Sequence, residues 1–360
     1  MTHDLQEYTM LNPTLDQISV LLKDFNIESK ISAVKELQRD NYEECGPNAK
    51  NVRLILKIEF DDRPPVVVRL RNEVGLTDEL VEEQSFFAFL LRKNGIETPE
   101  LYTAGSHFSK HCFLNGYDVI ATAERFMANE VVCIDADIAQ ATGELLAEMH
   151  NISEKNNCHV HAKVLFDPMT KNDLFGYKEF ISLEEKLCAC EPDLYKIIND
   201  KYNQYMEIIS KADNRPRYAV QGDISHCNTY MTGEGKLGVF DFNWCGDNNL
   251  FFDAIMQAFF EAQLMDYAES CAENHESLIL SAFLNGYNKK RPFSESEKAL
   301  YPYLYAVISA FELGFIKYDE ANLYKAAESG NGAAVKIMLE EIYRRLNILN
   351  EIPLDKKGTP

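Results

Sequence analysis

The first third of the chain carries short runs rich in Val, Ile and Leu, a pattern typical of strands. Two of these runs, 52–60 and 65–73, are separated by Asp and Pro residues that favour a turn, so they predict an antiparallel hairpin. The candidate strands in chain order are 31–38, 52–60, 65–73, 96–108 and 117–127. Two amphipathic helices accompany them, at 14–26 and at 78–95.

The remainder of the chain is mainly helical in its pattern. Apolar residues recur at helical spacing in four stretches, which are 135–153, 178–211, 252–288 and 296–348. Short β-like runs return between 217 and 241. The sequence therefore predicts an α+β protein with two lobes, a small β-rich lobe at 1–122 and a larger, mainly helical lobe at 123–360.

Composition narrows the classes of partner. The formal net charge is −21, from 57 acidic and 36 basic residues, and a nucleic-acid partner needs a surplus of Lys and Arg, so we expect none. We expect no membrane partner either, because there is no apolar run of spanning length and the start lacks the pattern of a signal peptide. Nine scattered cysteines, an odd number, fit reduced thiols in the cytoplasm better than a disulfide framework.

The stretch "QGDISHCNTYMTGEGKLGVFDF" concentrates acidic and amide side chains around two β-like runs. The runs read as the arms of a hairpin with "TGEG" as the turn, which would bring Asn228 close to Asp241. Amide and carboxylate oxygens are ligands that suit Mg²⁺. Asp223 precedes Asn228 in the same loop. These residues are either ordinary turn residues or the parts of a site that holds a metal and a nucleophile.

An Asp, four residues, an Asn and a later Asp-Phe is also the spacing of the catalytic and metal-binding loops of protein kinases. The chain departs from protein kinases elsewhere, with QGD in place of HRD and neither G-x-G-x-x-G nor A-P-E. It resembles instead the aminoglycoside phosphotransferase and choline kinase-like family. The matching pieces, in order, are "PPVVVRLR", "EEQSFFAFLLRKNGIETPELY", "GELLAEMHNIS", "QGDISHCN", "VFDFNWCGD" and "FFDAI", from roughly residue 50 to residue 260.

The resemblance implies a protein kinase-like two-lobe fold. It also implies an enzyme that transfers the γ-phosphoryl group of ATP, with GTP as the alternative, to a hydroxyl of a small molecule. Asp223 would accept the hydroxyl proton, and Asn228 and Asp241 would bind Mg²⁺. Gln221 stands where the family usually has His, and its amide can both donate and accept. Asp253 would hold the metal loop by accepting backbone hydrogen bonds.

The resemblance also implies nucleotide contacts in the β-rich lobe. Arg69 would contact the phosphates and pair with Glu83, while Arg71 and Glu82 are the alternatives to these two residues. The competing interpretation places the arginines on an edge strand, where their charges face solvent.

The base of the nucleotide is placed by position alone, against backbone groups of the stretch that contains Glu124, Arg125 and Phe126. A glycine-rich loop is expected over the phosphates, but residues 37–50 contain a single glycine, Gly46. Backbone N–H groups of such a loop can still contact phosphate.

Acidic residues are frequent after Asn248, which favours a cationic acceptor such as an aminoglycoside or a choline-like amine, with sugars and other amino alcohols left open. The residues are Asp253, Glu261, Asp266, Glu269, Glu273 and Glu276. The alternative function is a kinase-like protein that binds a ligand or partner without catalysis. Gln221 and the single-glycine loop favour that alternative, whereas the intact Asp223, Asn228 and Asp241 count against it.

Overall fold

A computed structural model describes residues 10–42, 51–165, 167–170, 175–213, 215–264 and 266–355. Contacts within the chain divide it into two compact units, Met1–Ala128 and Asn129–Pro360. The predicted boundary after residue 122 falls inside the last strand of the first unit. Strands dominate the first unit and helices the second, so the predicted α+β, two-lobe fold class is confirmed.

The first unit is built on one antiparallel sheet. Its strands are β1 (Ile31–Tyr42), β2 (Asn51–Phe60), β3 (Val66–Asn72), β4 (Ser109–Leu114) and β5 (Tyr117–Arg125). Their order across the sheet is β1-β2-β3-β5-β4, so β3 is the central strand. It pairs with β2 on one side and with β5 on the other, where Arg69 lies opposite Thr122.

Helix α1 (Leu15–Asp24) covers one face of this sheet. Thr14 and Gln17 form a capping box at its start, and its buried Ile18, Leu21 and Leu22 join the core of the sheet. That core includes Val66, Val68 and Leu70 of β3. Because successive side chains of a strand point to opposite faces, Arg69 and Arg71 lie on the face away from α1. Helix α2 (Asp78–Lys93) follows β3 and is the helix that the sequence predicts there.

The structure corrects one predicted strand. Residues 96–108 form two isolated bridges in place of a ladder, and the strand begins at Ser109. Pro99 lies in the predicted stretch and has no N–H group to give to a ladder. A stronger sequence signal in this region is the Asn115-Gly116 pair, which forms the turn between β4 and β5. The φ angles of these two residues are 51° and 80°.

The second unit is mainly helical. Its helices are α3 (Ala136–Lys155), α4 (Tyr177–Ser182), α5 (Glu184–Cys190), α6 (Pro192–Ala212), α7 (Leu250–Gln263), α8 (His275–Lys290), α9 (Glu295–Ala310), α10 (Leu323–Glu328) and α11 (Gly332–Leu346). Two small antiparallel sheets interrupt them, β6 (Tyr218–Val220) with β9 (Gly246–Asn248) and β7 (Thr229–Met231) with β8 (Leu237–Val239). In the part of the chain that the structure describes, no helix has both the length and the apolar character that crossing a bilayer requires.

The side chain of one buried histidine links three of these helices through hydrogen bonds. His150 of α3 is fully buried, with Nε2 3.1 Å from Asp253 Oδ2 of α7 and Nδ1 2.9 Å from the Tyr287 hydroxyl of α8. Burial lowers the pKa of His150, and the hydrogen bond to Asp253 opposes that effect. The geometry corrects the expected role of Asp253. Its side chain bonds His150 and Gln257 rather than backbone groups of the metal loop.

We predict that His150→Ala lowers the free energy of unfolding by about 3 kcal/mol, because it leaves the buried Asp253 carboxyl without its main partner. Denaturant titration of the variant measures this loss. The matched control is His159→Ala, since His159 bonds Asp247 at 2.8 Å in a partly exposed position and should lose about 1 kcal/mol or less. A loss at position 150 no larger than at position 159 would contradict the role given to this network.

Candidate active site

The hairpin of β7 and β8 brings together the two residues predicted to bind a metal. Thr229 pairs with Val239, and just beyond this pair the Phe240 N–H donates to the Asn228 carbonyl at 3.0 Å. Asn228 and Asp241 therefore flank the open end of the hairpin. The turn forms over the predicted residues, since the Thr232 N–H donates to the Lys236 carbonyl at 2.8 Å.

Asp223 joins the same group through the Asn228 side chain. Asn228 Nδ2 donates to the Asp223 carbonyl at 2.8 Å and to the Asp223 carboxylate oxygen Oδ2 at 3.1 Å. This use of the amide nitrogen directs the amide oxygen of Asn228 away from Asp223. The structure thus places the three residues in one cluster, with the amide oxygen as the atom that can serve a cation.

Gln221 links the loop that contains Asp223 to the loop that contains Asp241. Its side chain is fully buried, its Nε2 donates to the Asp241 carbonyl at 2.7 Å, and its Oε1 accepts the Asp223 N–H at 2.8 Å. A single amide side chain can make this bridge because it offers a donor and an acceptor at once. Gln221 is therefore a scaffold residue of the loop.

The carboxyl of Asp223 sits in an environment that favours its protonated form. Burial and then the negative charge of Asp241 raise the pKa of Asp223 to about 7, against the opposing hydrogen bond from Asn228. A carboxyl with a pKa near neutrality suits the uptake of a proton from a reacting hydroxyl. A cation held by Asp241 would neutralise part of the charge that raises this pKa.

The donor set fits a hard divalent cation. Asp241 supplies a carboxylate and Asn228 supplies an amide oxygen. Burial is the main cause of the raised pKa of Asp223, and the negative charge of Asp241 adds to it. Among the described residues no group of three or more His, Cys, Asp or Glu side chains converges on one point. Two protein oxygens suit Mg²⁺, which usually completes its shell with water and with substrate phosphates.

Backbone geometry at Gly222 and Asp241 shapes the loop. Asp241 has φ of 57°, a left-handed conformation that Asp tolerates better than most residues. Gly222 has φ of 81°, and a Cβ at this position would lie 2.3 Å from the Trp244 carbonyl oxygen. Position 222 therefore requires glycine for two reasons, its φ angle and the close approach of the metal loop.

We predict that Gly222→Ala lowers the free energy of unfolding by about 3 kcal/mol, from left-handed strain plus the clash with Trp244. Gly235→Ala is the matched control, because Gly235 has φ of 76° but has no atom within 4 Å of a built Cβ. It should cost about 1 kcal/mol. Equal losses in denaturant titrations of the two variants would show that the contact with Trp244 does not constrain the loop.

In the first unit, the structure contradicts one of the two interpretations of Arg69, the one that places it on an edge strand. β3 is the central strand and Arg69 and Arg71 are both buried, which rules out two solvated charges on an edge strand. Arg69 Nη2 lies 2.7 Å from Glu124 Oε1 of β5. This ion pair links two residues that the sequence assigned separately to phosphate and base contacts.

The predicted pairing of Arg69 with Glu83 stays a prediction. The alternative partner, Glu82, is engaged elsewhere. Its carboxylate accepts the backbone N–H groups of Phe108 and Ser109, at 3.1 and 2.7 Å, and so anchors the start of β4 to α2.

The stretch predicted to face the base uses two of its donors inside the unit. The Arg125 N–H donates to the Glu100 carbonyl at 2.8 Å, and the Phe126 N–H donates to the Pro65 carbonyl at 2.9 Å. Contacts from this stretch to a base would therefore come from other backbone groups. The loop with Gly46 lies outside the described residues.

The acidic residues after Asn248 differ in their exposure to solvent. Four of them are exposed, at Asp266, Glu269, Glu273 and Glu276. Asp253 and Glu261 are fully buried on α7. The sequence analysis grouped the six acidic residues because they are frequent in this part of the chain. The helical repeat of α7 places Asp253 and Glu261 on one buried face.

Comparison with known proteins gives the fold. No protein-family model and no curated protein matches the chain. A microcompartment-associated aminopropanol kinase aligns over 92% of this chain and 100% of its own, with 12% identity and a TM-score of 0.58. An amicoumacin kinase in complex with AMP-PNP, Ca²⁺ and Ami aligns over 94% and 96%, with 15% identity and a TM-score of 0.54.

The chain has the two-lobe fold of small-molecule kinases. This confirms the fold that the sequence resemblance implied. Because the sequence identities are low, the similarity shows the fold alone. The activity has to be argued from the site of this chain.

Proposed function

We propose that this protein is a kinase that transfers the γ-phosphoryl group of ATP to a hydroxyl of a small molecule. The observation that carries the proposal is the cluster of Asp223, Asn228 and Asp241, held by Gln221. It combines a proton-accepting carboxyl with two oxygen ligands for a cation, which are the parts that phosphoryl transfer requires.

In the proposed reaction, Asp223 orients the acceptor hydroxyl and takes its proton. The new oxygen–phosphorus bond forms as the bond from the γ-phosphorus to its bridging oxygen breaks, and ADP leaves. Asn228 and Asp241 would hold Mg²⁺, which supplies positive charge to the phosphates. Gln221 keeps the backbone of Asp223 at a fixed position relative to Asp241, so catalysis rests mainly on positioning and on charge.

The proposal extends to the nucleotide. Arg69 would contact its phosphates, with Glu83 or Glu124 as the carboxylate that orients the guanidinium. The aligned amicoumacin kinase was solved with AMP-PNP and Ca²⁺, which supports ATP and a divalent metal here. We propose a cationic acceptor and a cytoplasmic location. The eight described cysteines are all free thiols, in keeping with a reducing compartment.

We predict that Asp223→Asn reduces transfer from ATP by about 100-fold or more while Mg²⁺·ATP still binds, because the base is lost and the ligands remain. Transfer is measured with γ-labelled ATP and a panel of hydroxyl acceptors. Nucleotide binding is followed by the fluorescence of Trp244, the single tryptophan, which lies in the metal loop. Asp247→Asn is the matched control, since Asp247 bonds His159 and the Val160 N–H outside the cluster.

Assays of the wild-type protein distinguish an enzyme from a non-catalytic binding protein. Nucleotide binding without phosphoryl transfer to any acceptor of the panel would favour the binding protein. An Asp223→Asn variant that keeps wild-type turnover would remove Asp223 from the catalytic role.

A further inference from the structure

A cavity of about 490 Å³ lies within the helical unit. Its walls come from the end of α3, the segment before β6, the start of α7 and the segment that joins α8 to α9. None of the residues in the cluster of Asp223, Asn228 and Asp241 lines it. A volume of this size is within the usual range for sites that bind small molecules.

The cavity lies at the far end of the small sheet that leads to the active-site loops. In the ladder of β6 with β9, Val220 pairs with Gly246 at one end and Tyr218 pairs with Asn248 at the other. The catalytic loop follows β6 and the metal loop precedes β9, so the candidate active site lies at the first end. Tyr218 and Asn249, the residue after β9, line the cavity at the second end.

Two arginines of the cavity wall are held by ion pairs to distant parts of the chain. Arg291 Nη1 lies 2.6 Å from Glu154 Oε2 of α3, and Arg215 Nη1 lies 2.5 Å from Glu297 Oε1 of α9. The first pair joins α3 to the segment after α8, and the second joins the segment before β6 to α9. The wall is therefore formed in advance of a ligand, which lowers the entropy cost of binding.

Arg291 keeps a complete hydrogen-bonding edge for a ligand. Its Nη1 is the nitrogen that donates to Glu154 Oε2 and to Asn151 Oδ1, at 2.6 and 2.9 Å. Its Nε and Nη2 form the adjacent edge of the guanidinium and make no hydrogen bond with any residue that the structure describes. Such an edge matches a carboxylate or a phosphate, which can accept two parallel bonds from it.

The charged groups of the wall leave a surplus of donors. Both carboxylate oxygens of Glu297 are engaged, Oε1 by Arg215 and Oε2 by the N–H and the hydroxyl of Ser294, at 2.7 and 2.8 Å. Glu154 is paired with Arg291. The caps of α7 and α9 also line the cavity, so the partial positive charges of two helix N-termini lie beside it. An anion therefore fits this wall better than a cation.

The remaining wall is apolar and partly aromatic. Leu250 and Phe251 are buried at the start of α7, Tyr218 is half-buried, and Pro216 and Pro292 are exposed. A flat apolar ring placed against these side chains would remove apolar surface from water on both partners.

We propose that this cavity is a binding site for a small anion that carries a planar apolar ring. Its carboxylate or phosphate would bind the Nε–Nη2 edge of Arg291, and its ring would pack against Tyr218 and Phe251. The site is separate from the one in which we place the nucleotide and the acceptor, so the inference does not depend on the proposed kinase activity.

The test compares matched ligands on the whole protein, with affinities from ligand-observed NMR titrations. Benzoate and phenyl phosphate are the probes. Benzamide keeps the ring without the charge, while acetate and inorganic phosphate keep the charge without the ring. At least one aromatic anion should bind about 10-fold more tightly than its matched controls, because only it uses both parts of the wall. A saturating non-hydrolysable ATP analogue with Mg²⁺ should change this affinity by less than about 3-fold, since the two sites lie at opposite ends of the ladder.

Two substitutions of Arg291 separate its edge from its charge. Arg291→Leu should weaken binding of the aromatic anion about 10- to 100-fold. Arg291→Lys should weaken it about 10-fold although it keeps the charge and the means to pair with Glu154, because an ammonium group lacks the two-donor edge. Arg344→Leu is the control, since Arg344 is an exposed arginine of α11 that pairs with Glu341 outside the cavity. It should leave the affinity unchanged.

Several outcomes would overturn the inference. One is that neither aromatic anion binds, and another is that benzamide binds as tightly as benzoate and phenyl phosphate. Displacement of the aromatic anion by the ATP analogue would place it in the nucleotide site. Wild-type affinity in both Arg291 variants, or an equal loss in Arg344→Leu, would show that the edge of Arg291 does not hold the acid group. If the expected pattern is found, the tighter of the two probes identifies that acid group.

Discussion

The two loops of the candidate site are joined by one buried amide. Gln221 is fully buried, donates to the backbone of Asp241 and accepts from the backbone of Asp223. This bridge fixes the backbone of Asp223 relative to the backbone of Asp241, from which the two carboxyls extend. The φ angle of Gly222 and the register of β7 with β8 then determine where Asn228 enters the cluster.

Helix α7 carries a line of buried polar side chains, which are Asp253, Gln257 and Glu261. At one end of its polar face, Asp253 is bonded to His150 of α3. At the other end, Glu261 lies in the field of Asp223. Gln257 stands between them with one bond made and one oxygen unpaired among the described residues. Such a line is costly in an apolar core unless its groups have partners, and at one end the fold supplies His150 as that partner.

Most of what the sequence predicts about the site comes from residues that lie close together in the chain. The hairpin, the proximity of Asn228 to Asp241 and the donor-acceptor role of Gln221 each depend on residues close together in the chain. The partner of Asp253 was predicted wrongly because His150 lies on another helix, far away in sequence. The burial of Arg69 depends on the order of strands in the sheet, which no local pattern encodes. The Asn115-Gly116 turn was predictable, and its signal was stronger than that of the strand assigned to 96–108.

We propose that Asn228 and Asp241 hold a divalent cation against nucleotide phosphates. The decisive experiment is a crystal structure with a non-hydrolysable ATP analogue and Mn²⁺, in which the anomalous signal locates the metal. We expect a peak within coordination distance of Asn228 Oδ1, the Asp241 carboxylate and at least one phosphate oxygen. An ordered nucleotide whose metal lies elsewhere, or that binds without a metal at these two residues, would contradict it.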